Sequence, residues 1–146
     1  MCRRIYLMKL VHEVLEEARK KRAKADKIKV LKDNETWALK DILLGSTDTT
    51  IAFNLPEGAP PYTPNRPESV PTNLQKKNKE FRWFIKGGPG DNLKTFEREK
   101  RYIQLLEGIH PEDAKLVIMM VNKQKPEGVS RPVIDEAFPG LLQDEG

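Results

Sequence analysis

The chain has 146 residues with a net charge of +4, 33% charged and 38% hydrophobic residues, and a mean hydropathy of -0.64. That length suits one domain able to bury roughly two-thirds of its unfolded surface, and no apolar run approaches the ~20 residues of a membrane span. The single cysteine, Cys2, excludes an internal disulfide and an all-cysteine metal site.

The opening MCRRIYLMKLV has too short an apolar stretch for a signal peptide and lacks a small-residue cleavage site, so the chain reads as cytosolic. Met8 is a second possible start, which would make residues 1–7 an appended tail. Charge is polarised along the sequence. Residues 1–40 hold twelve Lys/Arg against six Asp/Glu, residues 41–110 ten against nine, and residues 111–146 four against seven. A basic front of this kind suits an acidic partner.

Leu10, Val11, Val14, Leu15 and Ala18 follow a helical period, predicting an amphipathic helix from residue 9 to about 24. Asp26 is positioned to cap a second, short helix with Ile28 and Leu31 inward. Asn34 is positioned to cap a third, in which Trp37, Leu39, Ile42, Leu43 and Leu44 give an apolar face and Gly45 ends it. From Asn54 to Asn73 six of the eleven prolines occur, at 56, 60, 61, 64, 67 and 71, so this segment is an extended arm. Phe53 and Tyr62 are expected to pin it to the body. Leu74, Phe81, Phe84 and Ile85 fit a helix ending at Gly87. Phe81 to Ile85 alone also fits a strand, but no second convincing strand is available to pair with it.

The stretch from Asp91 to Val121 predicts two helices joined by a tight corner. In the first, capped by Asp91 or Asn92, Phe96, Ile103 and Leu106 mark the apolar face, with Tyr102, Leu105 and Ile109 beside them. Gly108 is read as its left-handed terminator. The second restarts at His110-Pro111-Glu112-Asp113 with proline in the first turn and two acids over the positive end of the dipole. Leu116 to Val121 is apolar on all sides, so this helix should be enclosed by its neighbours. Ser130 precedes a last helix with Val133, Ile134, Ala137 and Phe138 inward, and Leu141-Leu142 leads into an acidic tail. The fold class is therefore mainly α: a single small helical domain with a long proline-rich loop. Its parts are a tail (1–7), a helical unit (8–45), the arm (46–73), a second helical unit (74–142) and an acidic tail (143–146).

Candidate chemistry is sparse. His12 lies beside Glu13, Glu16 and Glu17, but no second histidine completes a zinc-helix motif, so it reads as a partly exposed surface residue. His110, at the corner, is expected to satisfy a free backbone group. Gly87-Gly88-Pro89-Gly90-Asp91 lacks the lysine of a phosphate loop and puts an acid where phosphate would sit, so it reads as a plain turn. No catalytic set, metal site or cofactor is expected.

The basic sets carry the functional reading. Arg19, Lys20, Lys21, Arg22 and Lys24, then Lys27, Lys29 and Lys32, and later Lys76, Lys77, Lys79 and Arg82 near Trp83, have the composition to contact phosphates and stack a base. The alternative for these residues is a solvated helix face.

Four motifs carry a resemblance: Asn34-Glu35-x-x-Ala38-Leu39-Lys40-x-Ile42-Leu43, Leu55-Pro56-Glu57-Gly58-x-Pro60-Pro61-Tyr62, Gln104 to Pro111, and Glu136 to Leu141. In that order they resemble an uncharacterised family encoded by large tailed bacteriophages, notably myoviruses of marine and cyanobacterial hosts, over about residues 8–142. The resemblance implies a phage origin and a host-cytoplasmic setting, and it supplies no activity.

The leading expectation is a non-enzymatic accessory protein that binds nucleic acid, or a replication or transcription protein on nucleic acid, through the basic front. The alternative is an adaptor or virion component that contacts protein through Tyr62 of the arm and through Leu141 and Leu142. An enzyme ranks third, to be reopened by a pocket gathering His12 or His110 with two carboxylates.

Overall fold

The computed structural model describes residues 10–64 and 74–142, without the side chains of Gln75 and Lys76. The expected N-terminal tail with Met8, the second half of the proline arm, and the acidic tail at 143–146 lie outside the described residues. The described chain is mainly helical, in the order α1 (Val11–Lys20), α2 (Lys24–Asp33), α3 (Trp37–Thr47), a single turn α4 (Leu74–Lys77), a 3₁₀ helix (Asn78–Phe84), a 3₁₀ turn (Pro89–Asn92), α5 (Thr95–Gly108), α6 (Pro111–Val121) and α7 (Arg131–Ala137).

One hydrophobic core joins them. α6 is its hub, packing on α3, α5 and α1, while α2 bridges α1 and α7. Ala114, Val117, Met120 and Val121 of α6 are buried, but Leu116, Ile118 and Met119 are half-buried, so the apolar rod is not enclosed on every side as its sequence suggests. Its start agrees with expectation: Pro111 occupies the first turn, and His110 Nδ1 accepts from the Glu112 N–H at 3.0 Å.

Several boundaries differ from the sequence-based expectation, each for a local reason. α1 stops at Lys20, and Lys21 and Ala23 are extended. Four consecutive cations repel one another, while Lys27 Nζ donates to the carbonyl of Ala18, in the last turn of α1, at 3.2 Å and holds the break. Ala23 occupies the N-cap of α2 and makes no side-chain cap, so Asp26 does not cap that helix. Thr36, not Asn34, caps α3, its Oγ1 accepting from Leu39 N–H at 3.2 Å. α3 then runs through Gly45, because this glycine serves close packing: a Cβ there would lie 2.7 Å from Met120 Sδ. Gly108 does not take the left-handed conformation, and α5 is preceded by Lys94 with no side-chain cap.

On α5 the buried face is Tyr102, Leu105 and Leu106, continued by Ile109, whereas Phe96 stands 67% exposed. Trp37, expected in the core, is 72% exposed, with the Lys40 ammonium 4.7 Å from its ring centroid. The segment after Leu74 is helical, but mostly 3₁₀, and Ile85 pairs with Phe53 in an isolated antiparallel bridge. Phe53 is buried and Tyr62 half-buried against the core, and the arm between them is tied down by Gly58 N–H to Asn122 Oδ1 at 2.8 Å. The glycine loop is a turn closed by Asp91, which accepts from Gly87 N–H at 2.7 Å.

Lys123, just beyond α6, has a positive φ of 58°. Its Nζ donates to the carbonyls of Gly45, Asp48 and Ile51 at 2.5, 2.7 and 2.8 Å. A cation thereby sits at the negative end of α3 and fixes the loop that follows. Lys123→Met keeps the apolar stem and removes the donors, so it is expected to lower the unfolding free energy in urea by about 1–2 kcal/mol; no change would mean that the three carbonyls are satisfied equally well by water.

Candidate nucleic-acid interface

The corner between α1 and α2 is a strongly cationic surface. Residues 19–26 are all exposed, and five of these eight are Arg19, Lys20, Lys21, Arg22 and Lys24, with Asp26 the one acid among them. Arg19 is engaged by Glu16 at 2.5 Å, Lys20 lies 3.9 Å from the same carboxylate, and Lys24 meets Glu136 of α7 at 2.8 Å. The Arg19 hydrogen bond holds the Glu16 carboxyl below its ordinary value. Lys29 pairs with Asp33 at 3.0 Å. Among the described residues Lys21, Arg22 and Lys32 form no ion pair.

Lys27 has a different role: besides Ala18 it donates to the Gly128 carbonyl at 2.7 Å, so its ammonium ties α1 to the loop before α7. The second basic set lies elsewhere, on a segment packed against α3, α5 and the 3₁₀ turn Pro89–Asn92. Lys77 shares a cleft of about 500 Å³ with Phe96, Lys100 and Arg101. Lys79 and Arg82 line a separate cavity beside α3. Arg82 and Arg101 lie 5.2 and 4.7 Å from the Trp83 ring centroid, so the expected cation–aromatic grouping forms, and α5 supplies a member that sequence reasoning missed. The Lys76 side chain lies outside the described residues. Tyr62, Leu141 and Leu142 are half-buried against this chain's own core.

A second arrangement was invisible in the sequence. Asp113 of α6 is fully buried, and its Oδ1 accepts from the His12 backbone N–H at 2.9 Å and contacts His12 Nδ1 at 2.8 Å. The His110 ring stacks on His12 with centroids 4.5 Å apart. Asp113 reads in the sequence as one of two acids over a helix start; its partner is 101 positions away, and nothing local signals the pairing. The carboxylate orients the His12 ring and leaves Nε2 as the site that gains or loses a proton. His12 also lines a cleft of about 350 Å³ with Glu16, Arg19, Glu112, Lys115 and Glu127. That cleft does gather a histidine with carboxylates. Glu16 and Glu112 form exposed ion pairs with Arg19 and Lys115, and no hydroxyl or thiol is among the described lining residues. No group of three or more metal-ligating residues occurs among the described residues.

The chain belongs to a family of unknown function, DUF6433, whose profile matches residues 14–126. The match spans the first three sequence motifs entirely, and the motif from Glu136 to Leu141 lies beyond it. No curated protein and no solved structure matches the chain. Among the described residues no helix is long and apolar enough to cross a membrane.

The His12–Asp113 contact makes stability depend on pH. Burial alone pulls the His12 pKa down, but the hydrogen bond and charge of Asp113, with Glu13 and Glu112, outweigh it and raise the value above 6.5. A raised folded-state pKa means that the stabilisation is complete below about pH 6.5 and fades as pH climbs through the folded value. Urea unfolding should therefore show stability falling as pH rises above about 6.5, with His12→Gln flattening that slope; an identical slope in the variant would assign the dependence to another group.

Proposed function

We propose that this chain is a non-enzymatic accessory protein that binds nucleic acid through the corner between α1 and α2, in the cytoplasm of a bacterial host. The observation that carries the reading is the exposed run from Arg19 to Asp26, with five cations and one acid. Exposed ion pairs contribute only about 0–1 kcal/mol, so Glu16 and Glu136 do not withhold Arg19, Lys20 and Lys24 from a phosphate backbone. Lys21 and Arg22 need no partner exchange at all. Lys27 stays with its carbonyls.

The phage setting rests on the resemblance of the four sequence motifs to a family of tailed bacteriophages. An adaptor role is less supported, since Tyr62, Leu141 and Leu142 pack against the chain's own core.

Phosphate contacts position a protein on nucleic acid without reading its sequence, so similar affinity is expected for unrelated oligonucleotides of equal length. The test is fluorescence anisotropy with labelled oligonucleotides at low salt. Lys21→Glu with Arg22→Glu should weaken binding by at least about tenfold, the order expected when attractive phosphate contacts become repulsive, while stability changes by less than about 0.5 kcal/mol because both side chains are exposed. Equal affinity of the variant and the wild type would overturn the assignment to this corner.

A further inference from the structure

A cavity of about 340 Å³ lies between α3 and the 3₁₀ helix Asn78–Phe84. Its apolar lining includes Leu44, Ile51, Phe53, Phe81, Ile85 and Met120, and its polar lining is Asp41, Asn78, Lys79 and Arg82. The walls are built in advance. Lys123 fixes the end of α3 and the loop to Ile51 through three carbonyls. The bridge of Phe53 with Ile85 is closed by Asn54 N–H to the Phe84 carbonyl and Lys86 N–H to the Ala52 carbonyl, both 2.8 Å. Gly45 lets α3 settle on Met120, so the floor of the cavity is a helix contact that a Cβ would disturb.

The charges of the lining are unequal in their freedom. Asp41 Oδ2 accepts from Asn78 Nδ2 at 2.6 Å, which links α3 to the start of the 3₁₀ helix. Burial pushes the Asp41 pKa up, and the Asn78 hydrogen bond opposes that shift. Lys79 and Arg82 are exposed and form no ion pair among the described residues. Side chains three apart eclipse one another on a 3₁₀ helix, so these two cations rise from one edge of the segment. Arg82 stacks on Trp83, which leaves the guanidinium rim for an acceptor. An apolar chamber edged by two exposed cations, with its one carboxylate, Asp41, hydrogen-bonded to Asn78, suits an anion with an apolar body.

We propose that this cavity binds a small molecule with one carboxylate and an apolar body, the body against Phe53, Phe81 and Met120 and the carboxylate at Lys79 and Arg82. The volume is at the small end of the roughly 300–1,000 Å³ range of ligand pockets, so the body is a single ring or a short chain. This site is separate from the corner assigned to nucleic acid and does not depend on that assignment.

The probe is octanoate, titrated below its micelle concentration at constant ionic strength and followed by amide chemical shifts of the full chain. Saturable shifts are expected at Gly45, Ile51, Phe53 and Phe81. Octylamine, with the same chain and the opposite charge, should bind at least about tenfold more weakly, as should octanoate to the Lys79→Glu/Arg82→Glu variant, a difference of about 1.4 kcal/mol. Both substituted side chains are exposed, so the variant's unfolding midpoint should match that of the wild type. Equal binding of octylamine and octanoate to the wild type, shifts centred on another part of the chain, or no saturable shift would overturn the proposal, whatever the variant does.

Discussion

The position of α6 depends on a polar grip at each of its ends. At the N-terminal end the buried Asp113 carboxylate takes both the backbone N–H and the ring of His12, which fixes α1 across the hub. Just beyond the C-terminal end the Lys123 ammonium gathers three carbonyls from the end of α3 and the loop after it. Apolar burial between these grips supplies most of the driving force, but burial is non-directional and tolerates sliding. Hydrogen bonds to charged groups are directional, and leaving either charge without its partners is costly. The two grips therefore set the register in which Ala114, Val117, Met120 and Val121 meet their neighbours.

That register determines what remains on the surface. With α1 held on α6 and α2 bridging α1 to α7, the break between α1 and α2 points away from the hub, and its cations have no core to join. The rear third of the chain, which carries the excess of acids, meets this corner at a few points: Gly128 lies close against Arg19, Glu127 shares a cleft with it, and the Gly128 carbonyl accepts from Lys27. Two of its acids are engaged near home, Glu112 with Lys115 and Asp135 with Arg131, while Asp113 crosses to His12 of α1. The ion pair from Glu136 to Lys24 is an exposed contact between α7 and the front. The cations of residues 19–24 thus stay exposed after folding, which is what long-range attraction of a polyanion requires.

Legibility in the sequence followed the range of the interaction. The restart at His110-Pro111, the inner face of α7, and the turn at Gly87 to Asp91 depend on residues within a few positions of one another, and each was readable. Gly45 was misread because a glycine that ends a helix and a glycine that admits a methionine from another helix look alike until the partner is known. Phe81 and Phe84 are three apart, a spacing that α and 3₁₀ helices share, so periodicity could not separate them. Phe96 and Trp37 carried apolar character without burial, a distinction that only packing draws. The cationic corner was visible as composition. Which of its members are committed to structure was not, because Lys27 meets Gly128 and Lys24 meets Glu136 across more than a hundred residues. The His12–Asp113 pair and the cavity beside Asp41 are likewise products of distant segments, and no local pattern announces them.

The central claim is that an exposed cluster of about five cations meets a phosphate backbone, and the dependence of affinity on salt measures it most directly. For the wild-type chain and an oligonucleotide, the logarithm of the association constant should fall linearly with the logarithm of salt concentration, with a slope of about -3 to -4 for four to five neutralised phosphates. A slope near zero would show that counterions are not released, and would contradict an electrostatic nucleic-acid interface at this corner.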